Sequence, residues 1–552
     1  MYLNKNYKYL SVYYCVLIFL IFGCTKKSPG SSFPPANTCI YNGVDTCGKK
    51  LSINVNLANS HQTIHSFGAS DAWSSKFVGN WNDIAKKNQI ADYLFSMDTS
   101  SSGNPKGIGL SLWRFNIGAG SFEEGDSSGI PDEYRREECF QKPDGTYDWN
   151  KQKGQQWFLN AAKQRDVKYL LGFVVSPPVQ MTINGKAYGM GTPQFSLIPS
   201  KFNDFADFLA QVCKHFQSTN TPFDYISPVN EPQWNWGSSP SQEGTGASNT
   251  DISNLVKILA PDLQKNGVST KIVVGEAAQV NFLSAAYGTN QGNQISDWFN
   301  TASPDFIGNV PNLENTISYH SYFTTCPDDK LIQTRQDADA SRKATNPALQ
   351  LWMTEFGVLG DICGNLNGYP RNTNIDYGLY VAKVIHHDLV VANVSSWQWW
   401  LGISPYDYSD GLVYISAPTG VIDPQLSKTD GLVSDSKQLW CLGNFSRFIR
   451  PGMKRVDANI NNQTDPAYAA GTIMVSAYTD AVSKTLVIVL INEQASAANL
   501  TFSGLGAGMQ ITGGNFSAYT TAADKSLQRS TMAADNIQLE AKSVTTLVAK
   551  YN

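Results

Sequence analysis

Charge is scarce in this sequence and is nearly balanced in sign. Of the 552 residues, 16% are Asp, Glu, Lys or Arg, and the formal net charge is -4. A nucleic-acid partner requires clustered basic residues that neutralise phosphates, and no such cluster occurs. We therefore expect no nucleic acid among the partners of this protein.

Motifs that hold a metal ion or a cofactor are also missing. The nine cysteines include no Cys-x-x-Cys pair, and no His-Glu-x-x-His or EF-hand pattern occurs. Gly107-Ile108-Gly109 lacks the third glycine of the dinucleotide-binding turn. The sequence therefore predicts no metal and no cofactor, and it argues against a zinc ribbon or a redox centre.

Long hydrophobic runs are limited to the start of the chain. The apolar run at residues 10–22 is too short to span a bilayer as a stable helix. It ends in Leu-Ile-Phe-Gly before Cys24, which resembles a bacterial lipobox. We expect a lipoprotein signal segment at 1–24, lipidation of Cys24, and a tether at 25–50. This predicts export and lipid anchoring to a bacterial membrane, at the outer membrane or cell surface. A plain signal peptide or an uncleaved anchor is the alternative.

Cysteine is the next scarce residue, and export would permit disulfides. Seven cysteines remain once the two in the signal segment are removed, so at least one is unpaired. Cys39 and Cys47 are close enough in sequence to close a small loop. Cys326 and Cys363 can pair if their loops are neighbours.

What the chain does contain is a repeated alternation of strands and helices between residues 64 and 445. Short apolar segments at 109–117 and 168–175, for example, precede helical patterns at 152–165 and 202–216. About eight such units predict an α/β fold of the (β/α)8 TIM-barrel type. A doubly wound sheet is the competitor, and the missing glycine-rich turn argues against it.

The C-terminal part of the chain changes to an all-β pattern. We expect residues 446–552 to form a β-sandwich, completed by an N-terminal strand at 51–63. The pattern rests on alternating apolar residues with turn residues between the segments, at 472–478, 485–491, 499–502 and 544–550.

Two predicted strands end in a glutamate. Asn230-Glu231-Pro232 closes one strand, and Thr354-Glu355-Phe356-Gly357 closes another. The active site of a barrel lies at the C-terminal ends of its strands. Cleavage of a glycosidic bond needs one carboxyl group to donate a proton and a second to attack or to activate water. A structural salt bridge is the plain alternative for either glutamate alone.

These motifs resemble glycoside hydrolase family 30, within the clan of retaining β/α-barrel glycosidases (clan A). The segment 442–452, Leu-Gly-Asn-Phe-Ser-Arg-Phe-Ile-Arg-Pro-Gly, is similar to the family's junction between barrel and sandwich, and 66–73 resembles its first strand. The resemblance implies that Glu231 is the acid/base and Glu355 the nucleophile, about 5–5.5 Å apart. The Asn-Glu-Pro motif is common to the clan, whereas the junction segment is specific to the family.

The resemblance also implies a set of substrate contacts. Arg114 is expected to be the cation beside the nucleophile, Asn230 to bind the sugar 2-hydroxyl, and Asp71 to bind hydroxyls at the far end of the sugar. We expect polar contacts from His320 and Tyr322, and a tryptophan floor at Trp399 or, next, Trp397. Trp234 and Trp236 are expected to line the aglycone side or to pack within their loop.

Three further groups of residues have weaker signals. Glu276 ends the fifth strand and is either substrate-facing or a structural partner. The pair His386-His387 is interpreted as a solvated helix surface, and Asp328-Asp329 as a solvated loop.

The function predicted from these features is retaining hydrolysis of a β-linked oligo- or polysaccharide by a monomer. The segment 230–236, together with 242–244, resembles the endo-β-1,6-galactanase branch of the family. A β-glucosidase or β-1,6-glucanase and a xylanase are the alternatives. A non-catalytic surface glycan-binding protein is an alternative of another class, against which the intact pair of glutamates argues.

Overall fold

A computed structural model describes residues 50–237, 240–506 and 508–552, together with the backbone of Ile40–Tyr41 and Val44–Asp45, which pair as antiparallel strands. The signal segment, Cys24 with its predicted lipidation, and the pair Cys39 and Cys47 lie outside the described residues. Within these ranges no helix is both long enough and apolar enough to cross a bilayer.

Eight parallel strands form a closed barrel, as the sequence predicts. Neighbours along the chain pair in order, and the eighth strand pairs with both the first and the seventh. Parallel pairing places all eight C-terminal ends at one rim. The strands are Ser66–Ser70, Leu112–Ile117, Tyr169–Val174, Tyr225–Ser227, Lys271–Ala277, Leu313–His320, Gln350–Glu355 and Ser396–Ser404.

A helix follows each barrel strand and covers its outer face. Within each strand, alternate side chains face the barrel interior or this helical layer. Asp328 and Asp329 begin the sixth helix rather than a loop, where their negative charge complements the helix N-terminus. The principal helices are Ile84–Phe95, Lys153–Lys163, Phe202–Ser218, Asn249–Lys265, Gln294–Phe299, Asp328–Thr345, Ile375–Val390 and Lys437–Ser446.

The C-terminal β domain contains nine strands in one continuous hydrogen-bonded order. Leu51–Thr63 lies inside this order, antiparallel to Lys454–Ile460 and parallel to Ala498–Gly504. The N-terminal strand therefore belongs to the C-terminal domain and not to the barrel. The other strands are Ile473–Asp480, Thr485–Asn492, Asn515–Ala522, Lys525–Ala533, Ile537–Leu539 and Ser543–Lys550.

The segment 442–452 joins the two domains. The Asn444 side chain donates to Tyr519 O at 3.0 Å, and Thr546 Oγ1 donates to Asn444 O at 2.6 Å. Arg447 donates to the carbonyls of Ser96 and Gly107, both at 2.9 Å, beside the second barrel strand. These bonds fix the barrel to the β domain.

The structure decides two predictions about cysteine and histidine pairs. Cys326 and Cys363 form a disulfide with Cα atoms 6.2 Å apart. His386 and His387 are both buried, so their interpretation as a solvated surface pair is wrong. Their helix, Ile375–Val390, packs against the barrel and also against strands of the β domain, which leaves it little solvent-facing surface.

Candidate active site

Five charged side chains meet at the C-terminal rim of the barrel. Arg114 lies in the second strand, Glu276 in the fifth, and His320 and Glu355 are the last residues of the sixth and seventh. Glu231 follows the fourth strand by four residues and adopts a left-handed φ of 44°. All five side chains are almost completely buried, so their charges interact strongly.

Arg114 connects both predicted catalytic strand ends. Its Nη1 donates to Glu355 Oε2 at 2.8 Å, and its Nη2 donates to Asn230 Oδ1 at 3.0 Å and to Glu276 Oε2 at 2.7 Å. The guanidinium carbon lies 3.6 Å from the centre of the Phe173 ring. Stacking and three hydrogen bonds fix the orientation of this cation, and the bond to Asn230 holds that side chain beside the acid/base candidate.

His320 lies between two carboxyl groups. Its Nδ1 is 2.7 Å from Glu231 Oε1, and its Nε2 is 3.0 Å from Glu276 Oε2. Burial alone would lower the pKa of this histidine, but the charge of Glu355 and the hydrogen bonds to the other two glutamates raise it to about 10. His320 is therefore an imidazolium at neutral pH and donates from both ring nitrogens.

Glu276 is the structural counter-ion of this group. Burial raises its pKa, but Arg114, His320 and the Thr354 hydroxyl more than offset burial and hold the pKa at about 2. Thr354 Oγ1 donates to Glu276 Oε2 at 3.0 Å. The sequence left Glu276 open between a substrate-facing and a structural role, and these contacts assign the structural role.

Glu231 and Glu355 face each other across the barrel mouth. One oxygen of each, together with a nitrogen of His320, lie within 4.8 Å of one another. Tyr322 donates its hydroxyl to Glu355 Oε1 at 3.1 Å, so the polar contact expected of this residue is made to the nucleophile candidate. Burial raises the pKa of Glu231, and the charge of Glu355 raises it further, while His320 opposes the shift. The arrangement favours a protonated Glu231 beside a Glu355 whose two oxygens each accept a hydrogen bond.

The same three residues have the spacing of a metal site. A metal ion at this spacing would have to displace the proton that Nδ1 of His320 shares with Glu231 Oε1 at 2.7 Å. With two cations facing three carboxyl groups, this group of residues is suited to holding and moving a proton.

The tryptophans of the eighth strand correct one prediction. Trp397 and Trp399 are fully buried on the face that contacts the helical layer, where Trp397 donates to Asp388 Oδ2 at 3.0 Å and Trp399 to Asp410 O at 2.6 Å. Neither can be the floor of a sugar subsite. Trp400 lies on the opposite face of the strand and belongs to the cluster of side chains in the barrel interior.

Trp400 is thus a site residue that sequence reasoning missed. Its ring centroid lies 5.2 Å from that of Trp73 and 6.4 Å from that of Phe173, the ring beneath Arg114. Its backbone amide donates to Phe356 O, next to the nucleophile candidate. The signal in the sequence was the adjacent pair of tryptophans at 399 and 400, which covers both faces of a strand, but nothing in it indicated which face is inward.

Comparison with known proteins identifies the family of this chain. The model of the O-glycosyl hydrolase family 30 matches residues 50–414, more than half of the chain. The chain belongs to this family. Its structure superimposes on that of a conserved exported protein from Bacteroides fragilis with a TM-score of 0.84 and 32% identity, covering 90% of this chain and all of that one.

Two other relatives have named activities. Glucuronoxylanase XynC from Bacillus subtilis is 30% identical over 206 residues. The match covers 36% of this chain and 40% of that relative's length. The structure of the endo-β-1,6-glucanase BT3312 matches with a TM-score of 0.61 and 17% identity over 90% of this chain and 94% of that one. The second likeness shows the fold alone.

The remaining predicted contacts of this family 30 member lie around the same mouth. Asp71 accepts from the Asn116 amide at 2.8 Å through Oδ1, and its buried Oδ2 has no partner among the described residues. Trp234 is half-buried, with its amide donating to Glu231 O at 3.2 Å, and Trp236 Nε1 donates to the same oxygen. Both tryptophans therefore lie next to the acid/base candidate, and their predicted contact with the leaving part of the substrate stays a prediction.

The segment 242–244, which suggested the galactanase branch, contacts another loop of the protein through Glu243. The Glu243 carboxylate accepts from the amides of Ala119 and Ser121 at 3.0 and 3.2 Å and from the Ser121 hydroxyl at 2.6 Å. Burial raises the pKa of Glu243 to about 7, although these donors and Lys76 oppose the shift. Glu243 thus fastens the loop after the fourth strand to the loop after the second.

Proposed function

We propose that this family 30 protein hydrolyses a β-linked polysaccharide with retention of configuration, using Glu355 as nucleophile and Glu231 as acid/base. The observation that carries the proposal is the approach of one oxygen of each carboxyl group to within 4.8 Å. Retaining enzymes need a short separation because the nucleophile itself bonds to the sugar, whereas inverting enzymes leave room for a water molecule.

In the first step, Glu231 donates its proton to the glycosidic oxygen while Glu355 attacks the anomeric carbon. The bond to the leaving sugar breaks, and an ester forms between Glu355 and the retained sugar. Arg114 and Tyr322 hold the two oxygens of Glu355 before the attack. The raised pKa of Glu231 keeps the proton available for donation.

In the second step, water replaces the leaving sugar. Glu355 carries no charge in the ester, so its contribution to the raised pKa of Glu231 disappears. The ionised Glu231 then removes a proton from water, which attacks the anomeric carbon and releases Glu355. His320 remains beside Glu231 in both steps and stabilises its negative charge after the first.

We propose sugar contacts from three further residues. Asn230 is held by Arg114 through its oxygen, and its amide nitrogen then serves the 2-hydroxyl. The unpartnered Oδ2 of Asp71 is suited to a hydroxyl at the far end of the sugar. Trp400 supplies the apolar wall that was expected from Trp399.

The sugar and the location are also proposals. Galactan is suggested by the segment 230–236, xylan by the glucuronoxylanase relative and β-1,6-glucan by the glucanase relative. We therefore propose a β-linked polysaccharide as the substrate, and one assay compares these three glycans. We also propose that the protein is an exported, lipid-anchored monomer. The lipobox-like segment before Cys24 supports the anchor, and the exported relative from Bacteroides fragilis supports export.

The test measures release of reducing sugar from arabinogalactan, β-1,6-glucan and xylan by four proteins. Wild type should hydrolyse at least one glycan, and Glu355→Gln and Glu231→Gln should each lose about 1,000-fold or more in kcat. Glu314→Gln is the matched control, because Glu314 lies near the start of the sixth strand, at the opposite end of the barrel from the site. Retained activity in Glu355→Gln, or an inverted first product, would refute the assignment.

A further inference from the structure

A chain of aromatic rings extends outward from the acid/base candidate. It consists of the accessible rings of Phe323, Trp234 and Tyr287, with the buried ring of Phe282 packed between Trp234 and Tyr287 as their support, and we call it the aromatic rim. The ring centroids of Phe323 and Trp234 are 6.0 Å apart, those of Trp234 and Phe282 6.3 Å, and those of Phe282 and Tyr287 4.1 Å. The rim is built from the segments that follow the fourth, fifth and sixth strands.

Phe323 is held in an unfavourable position. Its side chain is 67% exposed, the largest exposed fraction among the described large hydrophobic residues apart from Val482 in the β domain. Its backbone has a φ of 59°, a left-handed conformation that bulky residues rarely adopt. Exposure of an apolar ring and backbone strain both oppose folding, and such costs concentrate at binding sites.

The rim begins at the catalytic carboxyl groups. Trp234 is bonded through its amide to the carbonyl of Glu231, and Phe323 follows Tyr322, whose hydroxyl bonds Glu355. Trp400 lies across the mouth with Trp73, at the ends of the eighth and first strands. The site therefore has an aromatic wall on the side of Arg114 and a separate aromatic rim on the side of Glu231.

The chemistry distinguishes the two sides. The acid/base protonates the oxygen of the leaving sugar, so the leaving part of the substrate passes next to Glu231. A leaving group that is one small molecule would not reach from Trp234 to Tyr287, which is 37% exposed at the outer end of the rim. A sugar chain would reach it, and the C–H faces of its rings pack on aromatic faces while its hydroxyls stay in water.

We propose that the aromatic rim binds the leaving part of a β-linked glycan chain across at least two sugar units, with Phe323 as its exposed contact. The protein then cleaves within polysaccharides and selects them through this contact. This inference rests on the proposed function, since it assigns the leaving side by the role of Glu231.

The test compares two substrates of the same sugar in Phe323→Ala. One is whichever polysaccharide the wild type hydrolyses, and the other is the matching β-glycosyl fluoride, whose leaving group is a single atom. The ratio of kcat/KM on the polysaccharide to kcat/KM on the fluoride should fall about 3- to 10-fold. Phe323→Tyr should restore most of the ratio, because it keeps the ring. Val482→Ala removes an exposed apolar side chain from the β domain and should leave the ratio at the wild-type value.

Each outcome decides the inference. An unchanged ratio in Phe323→Ala would overturn it, as would an equal fall on both substrates, which indicates a structural role. If wild type hydrolyses no glycan, the proposed function fails, and the rim is then tested by retardation in gels that contain each polysaccharide. Retardation that Phe323→Ala abolishes would support the rim as a glycan-binding surface, and unretarded wild type would refute it.

Discussion

His320 controls how the proton of Glu231 is held. The imidazolium contacts Glu231 at 2.7 Å and opposes the rise in the pKa of that carboxyl group, which is caused by burial and by Glu355. It is itself kept charged by the charge of Glu355 and by its hydrogen bonds to Glu231 and Glu276, which together outweigh its burial. A buried residue outside the reacting pair therefore sets the pH range in which the acid form exists.

Replacing His320 by Gln should move the alkaline limb of the pH profile. The substitution keeps a hydrogen-bonding side chain but removes the positive charge that lowers the pKa of Glu231. The pKa of Glu231 then rises, so the protonated acid persists to higher pH and the alkaline limb of kcat/KM shifts upward. We expect kcat to fall at least about 10-fold, because the ionised Glu231 of the second step loses its counter-charge. The measurement is kcat/KM against pH.

His386→Gln provides the matched control. This histidine is also buried, but it lies in a helix that packs against the β domain, away from the barrel mouth. Its substitution should leave the alkaline limb in place. A downward shift in His320→Gln would contradict the role given to the imidazolium.

At the scale of the element, the two faces of the eighth strand have different roles: the outer face stabilises the fold, and the inner face lines the active site. Trp399→Ala removes a fully buried ring from the outer face and should lower the free energy of unfolding by about 3–5 kcal/mol. Trp400→Ala removes a ring at the mouth and should lower kcat/KM about 10-fold per folded molecule. Urea unfolding and kinetics on the same preparations measure both. A larger loss of kcat/KM in Trp399→Ala than in Trp400→Ala would show that the faces are assigned wrongly.

The eighth strand also shows where sequence reasoning stops. The order of strands and helices was predictable because each unit has a local hydrophobic period, and the catalytic glutamates were predictable because each closes such a unit. The face of residues 396–404 that points into the barrel was not predictable, since an irregular pairing between Trp399 and Leu401 changes the alternation of inward and outward side chains. The structural role of Glu276 and the charge of His320 depend on strands far apart in sequence. Likewise, the exposure of Phe323 follows from a backbone conformation that residue type does not reveal.

At the scale of the whole molecule, the strand at the N-terminal side of the barrel completes the C-terminal β domain. Leu51–Thr63 pairs on both edges within the β domain, and Leu51, Ile53 and Val55 are buried there. A chain that starts at Lys50 should fold and remain active. One that starts at Ile64 leaves Lys454–Ile460 and Ala498–Gly504 each with an unpaired edge inside the sheet and should lose cooperative unfolding and solubility. Thermal unfolding followed by circular dichroism compares the two, and equal melting temperatures would contradict this assignment.

A retaining glycosidase with Glu355 as nucleophile must form a covalent bond between this residue and the sugar. Fluorine at C2 of the sugar slows both steps by disfavouring the oxocarbenium-like transition state, and a fluoride leaving group restores the first, so the ester accumulates. Wild type is incubated with the 2-deoxy-2-fluoro-β-glycosyl fluoride of the sugar it hydrolyses, digested and analysed by mass spectrometry. We expect one added sugar on the peptide that contains Glu355 and none on the peptide that contains Glu231. A label on Glu231, or an unlabelled protein that releases the inverted sugar, would contradict the central assignment.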